Sequence, residues 1–145
     1  MQHLRSIVGK SIPEEALRNF RSRVDKRVDG NDGTFAQQPA WFTTAPAGAI
    51  RRAVDRAGWG LGEVGLYEIN EAFAVVAMTT IKELALPPES VNVWGGAVAL
   101  GHPIGCSGAR ILATLLSAME QRGVSKGVAA LCIGGGEAVA IAVER

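Results

Sequence analysis

The chain has 145 residues, 48% of them hydrophobic and 20% charged, with a formal net charge of +1, a balance that suits one soluble globular domain with room for a core. It carries no basic stripe for nucleic acid and no apolar run long enough to span a bilayer, and the opening MQHLRSIVGK lacks the apolar centre of a secretory signal. Cys106 and Cys132 therefore read as thiols in a reducing, cytoplasmic setting rather than as a disulfide.

Residues 1–35 differ from the rest, with seven Lys or Arg, five Asp or Glu and few apolar residues. Ser11 and Glu14 have capping-box spacing, and Ile12, Ala16, Leu17, Phe20 and Val24 fall on one helical stripe. The turn-rich VDGNDGTF then ends that exposed amphipathic helix. From Pro46 the pattern changes: Ala47, Ile50, Ala53, Val54 and Ala57 line a helix that stops at Gly58. Residues 66–69 read as a short buried strand. A helix over 70–86 follows, with Phe73, Val76, Ala77, Ile81 and Leu84 inward and Pro87-Pro88 as its stop.

Residues 91–94 read as a strand, 95–108 as a glycine-rich loop, and 107–122 as a helix that presents Ile111, Leu112, Leu115, Leu116 and Met119 inward and ends at Gly123. Residues 127–133 form a strand of small apolar residues, Gly134-Gly135-Gly136 a turn, and 138–143 a returning strand. Alternating helices and strands that close on a hairpin predict an α/β fold with a mixed, helix-covered sheet.

Three places are costly for a plain core. Asn70 and Glu71 stand where an apolar strand meets an apolar helix, a position where α/β folds place ligands; a helix cap and a dipole-complementing acid would explain them equally. In GGAVALGHPIGCSG, five glycines frame His102, and Pro103 fixes the backbone after it. Such a loop can approach a ligand and opens a helix, and a neutral imidazole there can act as donor or general base; a plain surface turn is the alternative. In LCIGGG, Cys132 ends a strand and the glycines expose backbone N–H groups, which suits a proton-shuttling thiol beside an oxyanion hole as well as it suits an inert buried cysteine. The glycine spacing of this 95–108 loop fits neither a P-loop, since no GK[ST] follows it, nor the GxGxxG of dinucleotide folds, which argues against nucleotide binding there. The one histidine and two cysteines of these segments lack zinc-site pairing, so no metal is expected.

Taken together and in this order, NEAFA, GGAVALGHPIGCSGAR and ALCIGGG resemble the three C-terminal signature segments of thiolases, over about residues 45–144. The resemblance implies a thiolase-like α/β fold, with residues 1–35 a non-matching helix and loop and 36–145 the thiolase C-terminal domain. It is strongest to the acetyl-CoA acetyltransferase, or ketothiolase, type. That implies reversible transfer of an acetyl group between coenzyme A thioesters, with acyl-CoA as substrate and no further cofactor.

The matching residues imply that His102 activates a nucleophilic cysteine and helps hold an enolate-like oxyanion. They imply that Asn70 holds the water completing that hole, that Cys132 is the acid/base at the α-carbon, and that the Gly134 N–H faces the acyl oxygen. Claisen chemistry needs this set: a thiolate that carries the acyl group, a base for a weakly acidic C–H, and two sites for negative oxygen.

The sequence also departs from the family. It has no cysteine before Cys106, whereas thiolases carry the nucleophile well before NEAFA, and Cys106 reads as a packing residue of its loop. The loop domain that holds coenzyme A and the first strand and helix of the C-terminal half have no counterpart, and Phe42-Thr43-Thr44-Ala45-Pro46 replaces the family's Met-Gly turn. A split or truncated thiolase is expected, inactive alone, and either homo-oligomeric or partnered with a separate N-terminal thiolase chain. A degradative 3-ketoacyl-CoA thiolase and a non-catalytic assembly partner are the alternatives.

Overall fold

The computed structural model describes residues 33–145; the helix expected over residues 11–24 lies outside them. The described part is a four-stranded sheet of β1 (Phe35–Ala36), β2 (Leu66–Ile69), β3 (Lys126–Ile133) and β4 (Glu137–Glu144), in the order β1-β4-β3-β2. β2 runs parallel to β3, and β4 is antiparallel to both β3 and β1. This is the mixed α/β sheet that the sequence predicts. The helices are α1 (Ala45–Arg56), α2 (Ala74–Leu84), the single turn α3 (Ala97–Leu100) and α4 (Ser107–Arg122).

Side chains alternate across a strand, and two cores follow. Tyr67, Ile69, Val128, Ala130, Cys132, Ala138, Ala140 and Ala142 pack with α1 and α2 on one face. Leu66, Ala129 and Val143 pack with Ile111, Leu115, Leu116 and Met119 of α4 on the other. All four residues of β2 are buried, as expected of a parallel strand covered on both faces. α1 brings Ala45, Ala47, Ala49 and Ala53, all fully buried, against the alanines of β3 and β4; small residues on both sides permit close packing.

Several boundaries differ from the sequence expectation. The helix expected from residue 70 begins at Ala74, because the Asn70 N–H donates to the Ala130 carbonyl at 2.9 Å and extends the strand pairing by one residue. Phe73, expected inward, is extended (φ −141°, ψ 153°) and mostly exposed. The helix ends at Leu84 rather than at the prolines, since Ala85 turns left-handed at φ 51°. The strand expected over 91–94 reduces to one parallel bridge between Val91 and Tyr67. There Asn92 takes φ 47°, and its side-chain amide replaces backbone pairing: Oδ1 accepts from the Ile69 N–H at 2.8 Å and Nδ2 donates to the Ile69 carbonyl at 2.9 Å. β1 and the 3₁₀ segment Pro39–Thr44 form where the sequence reading assigns no regular element.

Candidate active site

The sheet edge at the C-terminal ends of β2 and β3 gathers the polar residues. Asn70 follows β2 directly and is fully buried. Its Oδ1 accepts from Arg110 Nη2 at 3.3 Å, and its Nδ2 lies 3.3 Å from His102 Nε2. His102 Nδ1 lies 2.6 Å from the hydroxyl of Ser107, which donates to the Pro103 carbonyl at 3.1 Å. Arg110 and Ser107 both project from the first turn of α4, so that helix organises the histidine loop from below. Asn70 therefore bonds side chains rather than capping α2, where Phe73 occupies the cap position without any side-chain hydrogen bond.

Glu71 braces the same loop. Its carboxylate accepts from the Asn92 Nδ2 at 3.0 Å and from the Val98 N–H at 2.9 Å. A Cβ at Gly96 would overlap that carboxylate, so the close approach of loop and acid requires glycine there. From Gly96 the chain makes α3, turns at Gly101 (φ 87°), and delivers His102 half-buried over Asn70. Cys106 is exposed in this loop, and Ile104 is 85% exposed.

Cys132 is the penultimate residue of β3, at the same edge of the sheet. Its side chain belongs to the core shared with α1 and α2, whereas Asn70 bonds to Arg110 of α4. Burial pushes its thiol pKa up, and its own backbone hydrogen bond pulls it partly back; a proton rests on sulfur. Gly134 begins the turn Gly134–Gly136, and nothing lies within 4 Å of where its Cβ would be. The structure thus joins Asn70 and His102 through hydrogen bonds and sets Cys132 and Gly134 along the same edge, outside that hydrogen-bonded chain.

Two charged residues escaped the sequence reading. Glu68, in the middle of β2, is 2% exposed. Its carboxyl is pushed up to about 7, chiefly by burial, with the Arg110 charge pulling down and the Glu71 charge pushing up. Glu68 Oε1 and Arg110 Nε and Nη1 are buried without hydrogen-bond partners. A glutamate inside a strand expected to be buried on both faces was the available signal, since such a carboxyl needs a cation nearby.

The family whose description is thiolase, C-terminal domain, matches residues 30–145. The chain is 56% identical over 108 residues to the cytosolic acetyl-CoA acetyltransferase of Mus musculus, covering 74% of this chain and 27% of that protein. It is 56% identical over 112 residues to acetyl-CoA acetyltransferase 2 of Arabidopsis thaliana, covering 77% and 28%. Among solved structures, the Bacillus anthracis acetyl-CoA acetyltransferase superposes with a TM-score of 0.76 at 45% identity, over 78% of this chain and 29% of that one. The Acat5 thiolase from Ascaris suum in complex with coenzyme A gives 0.74 at 48% identity, over 79% and 29%. The matched part spans less than a third of these relatives. On the matched residues and on the shared fold, the chain belongs to the thiolase family and carries its C-terminal domain.

Proposed function

We propose that this chain contributes the acid/base and oxyanion parts of an acetyl-CoA C-acetyltransferase site, converting two acetyl-CoA to acetoacetyl-CoA and CoA reversibly. The observation that carries the reading is the Asn70–His102 pair at the open sheet edge, 3.3 Å apart, on a domain whose relatives are named acetyl-CoA acetyltransferases. His102 takes the proton of an acyl-accepting thiol, which attacks acetyl-CoA and releases CoA. The 145 residues hold no cysteine ahead of Cys106, and that thiol comes from an N-terminal thiolase segment or chain. Cys132, protonated at rest, gives its proton to the departing CoA thiolate, and the Cys132 thiolate so formed removes an α-proton from a second acetyl-CoA. Its enolate oxygen rests on the His102 imidazolium and on a water held by Asn70. The new C–C bond forms at the acyl carbon, whose oxygen lies at the Gly134 N–H, and collapse expels the enzyme thiolate.

Coenzyme A thioesters are the substrates, and no other cofactor enters the scheme. No described helix is long and apolar enough to cross a membrane. We place the protein in the cytoplasm, as the name of the mouse relative supports, with a homo-oligomer or a separate N-terminal thiolase chain as its partner and neither nucleic acid nor membrane among its ligands.

Thiolysis of acetoacetyl-CoA tests the reading. The chain alone is expected to be inactive, and mixing with an N-terminal thiolase segment is expected to restore turnover. His102→Asn or Cys132→Ser should then lower it by roughly 10²–10⁴-fold. Turnover by the chain alone that survives Cys106→Ala, or a mixed assembly indifferent to both substitutions, would overturn it.

A further inference from the structure

Hydrogen-bond direction along the chain of side chains at the sheet edge is determined at its Arg110 end. Arg110 has only donors, so Asn70 Oδ1 must accept from it. The Asn70 amide therefore turns its nitrogen to His102, and Nε2 must accept at 3.3 Å. With Nε2 accepting, a neutral ring carries its proton on Nδ1 and donates to Ser107 Oγ at 2.6 Å, which leaves the Ser107 hydroxyl to donate to the Pro103 carbonyl at 3.1 Å. The direction runs without conflict from Arg110 through Asn70, His102 and Ser107 to Pro103.

We propose that Arg110 is a positioning residue: near the buried Glu68, it locks the Asn70 amide so that its Nδ2 donates to His102 Nε2, and thereby keeps the imidazole in the Nδ1–H tautomer with Nε2 unprotonated, able to exchange this long hydrogen bond for the proton of a thiol. Arg110 also supplies the positive charge that offsets the buried Glu68, but that charge alone does not call for a directed bond to Asn70. A half-buried guanidinium whose Nε and Nη1 find no partner spends its directed bond on one amide oxygen. Without that donor the Asn70 amide can flip, present Oδ1 to Nε2, and favour the opposite tautomer, which holds its proton where the base must be empty. The significance of the tautomer rests on the proposed thiolase reading; the tautomer itself does not, so the two fail separately.

The chain has two histidines, so ring ¹⁵N spectra of the full, histidine-labelled chain give two readable sets. The unmodified chain is expected to show a pyridine-type Nε2 and a pyrrole-type Nδ1 at His102. A pyrrole-type Nε2 there overturns the proposal. Arg110→Met in a Glu68→Gln background, which leaves no uncompensated buried carboxylate, is compared with Glu68→Gln alone. The Nε2–H form is expected to rise at least several-fold on loss of Arg110. An unchanged tautomer in the folded double variant would mean that Ser107 alone sets it, and the proposal fails. Should the double variant not fold, the tautomer of the unmodified chain decides.

Discussion

Asn70 Nδ2 and His102 Nε2 lie 3.3 Å apart across thirty-two residues of sequence. The contact exists because β2 ends at Ile69 while strand pairing continues one residue further, which fixes Asn70 against β3. The loop that carries His102 is then folded back over it by Glu71 and by the positive-φ backbone of Gly101.

Asn70→Asp inverts this contact. A carboxylate cannot donate to Nε2, so it draws a proton onto that nitrogen and removes the resting base. Histidine ring ¹⁵N shifts should report Nε2–H, and in a restored assembly thiolysis should fall on the order of 10²-fold. Retention of a pyridine-type Nε2 would show that the amide does not set the state of the ring.

Glu68 makes folding stability depend on pH. Its carboxyl is raised from 4.5 to about 7 in the fold, first by burial. A raised carboxyl binds its proton more tightly when folded, so its contribution is full below about 4.5 and is lost as pH rises through about 7. Denaturant unfolding of the unmodified chain should therefore lose stability across that window relative to Glu68→Gln, by on the order of 3 kcal/mol at most. Parallel curves for the two proteins would show that Glu68 stays ionised beside Arg110.

Much of this architecture is legible in the sequence, and particular residues show where legibility ends. The inward face of α4 and its stop at Gly123 (φ 65°) follow from helical spacing and an obligate left-handed turn, and residues 66–69 form the short buried strand that their apolar neighbours suggest. The strand expected over 91–94 fails because Asn92 substitutes its side chain for the backbone, a choice that depends on Ile69, twenty-three residues away. β1 escaped because two residues beside β4 have no periodicity to read. At the site, the glycine-framed histidine was visible as a motif, but Arg110 sat on an ordinary helix and gained meaning only when Asn70 and Glu68 were placed beside it.

The two thiols should differ in reactivity. Cys106 is exposed, whereas Cys132 is 9% exposed and its thiol is pushed up by burial. Access favours Cys106, and burial holds the Cys132 thiol protonated and unreactive. Iodoacetamide at neutral pH should modify Cys106 at least ~10-fold faster, as read by peptide mass spectrometry. Cys106→Ala should leave a single slow thiol that becomes fast on unfolding. Equal rates in the native protein would place Cys132 in open solvent.

Apolar surface beside the site predicts association. On α2, Val76, Ala77 and Leu84 are buried, while Val75 and Met78 on its outer side are exposed, Met78 by 66%. Phe73 just before it meets Phe42 edge-on at 6.0 Å yet remains largely exposed, as does Trp41. Val98, Leu100 and Ile104 add a second exposed apolar group in the segment that carries His102. A helix apolar on nearly all sides is ordinarily covered on all sides, and contiguous apolar surface drives binding or aggregation. The chain alone should therefore sediment as more than a monomer or bind an apolar dye, and either behaviour should weaken in Met78→Glu and Ile104→Glu, whose side chains point outward and leave the core untouched. An N-terminal thiolase segment that occupies this surface should suppress dye binding as it restores turnover. A monomer at high concentration without dye binding would sink the idea, because it would mean that water is tolerated against Met78 and Ile104 without a partner.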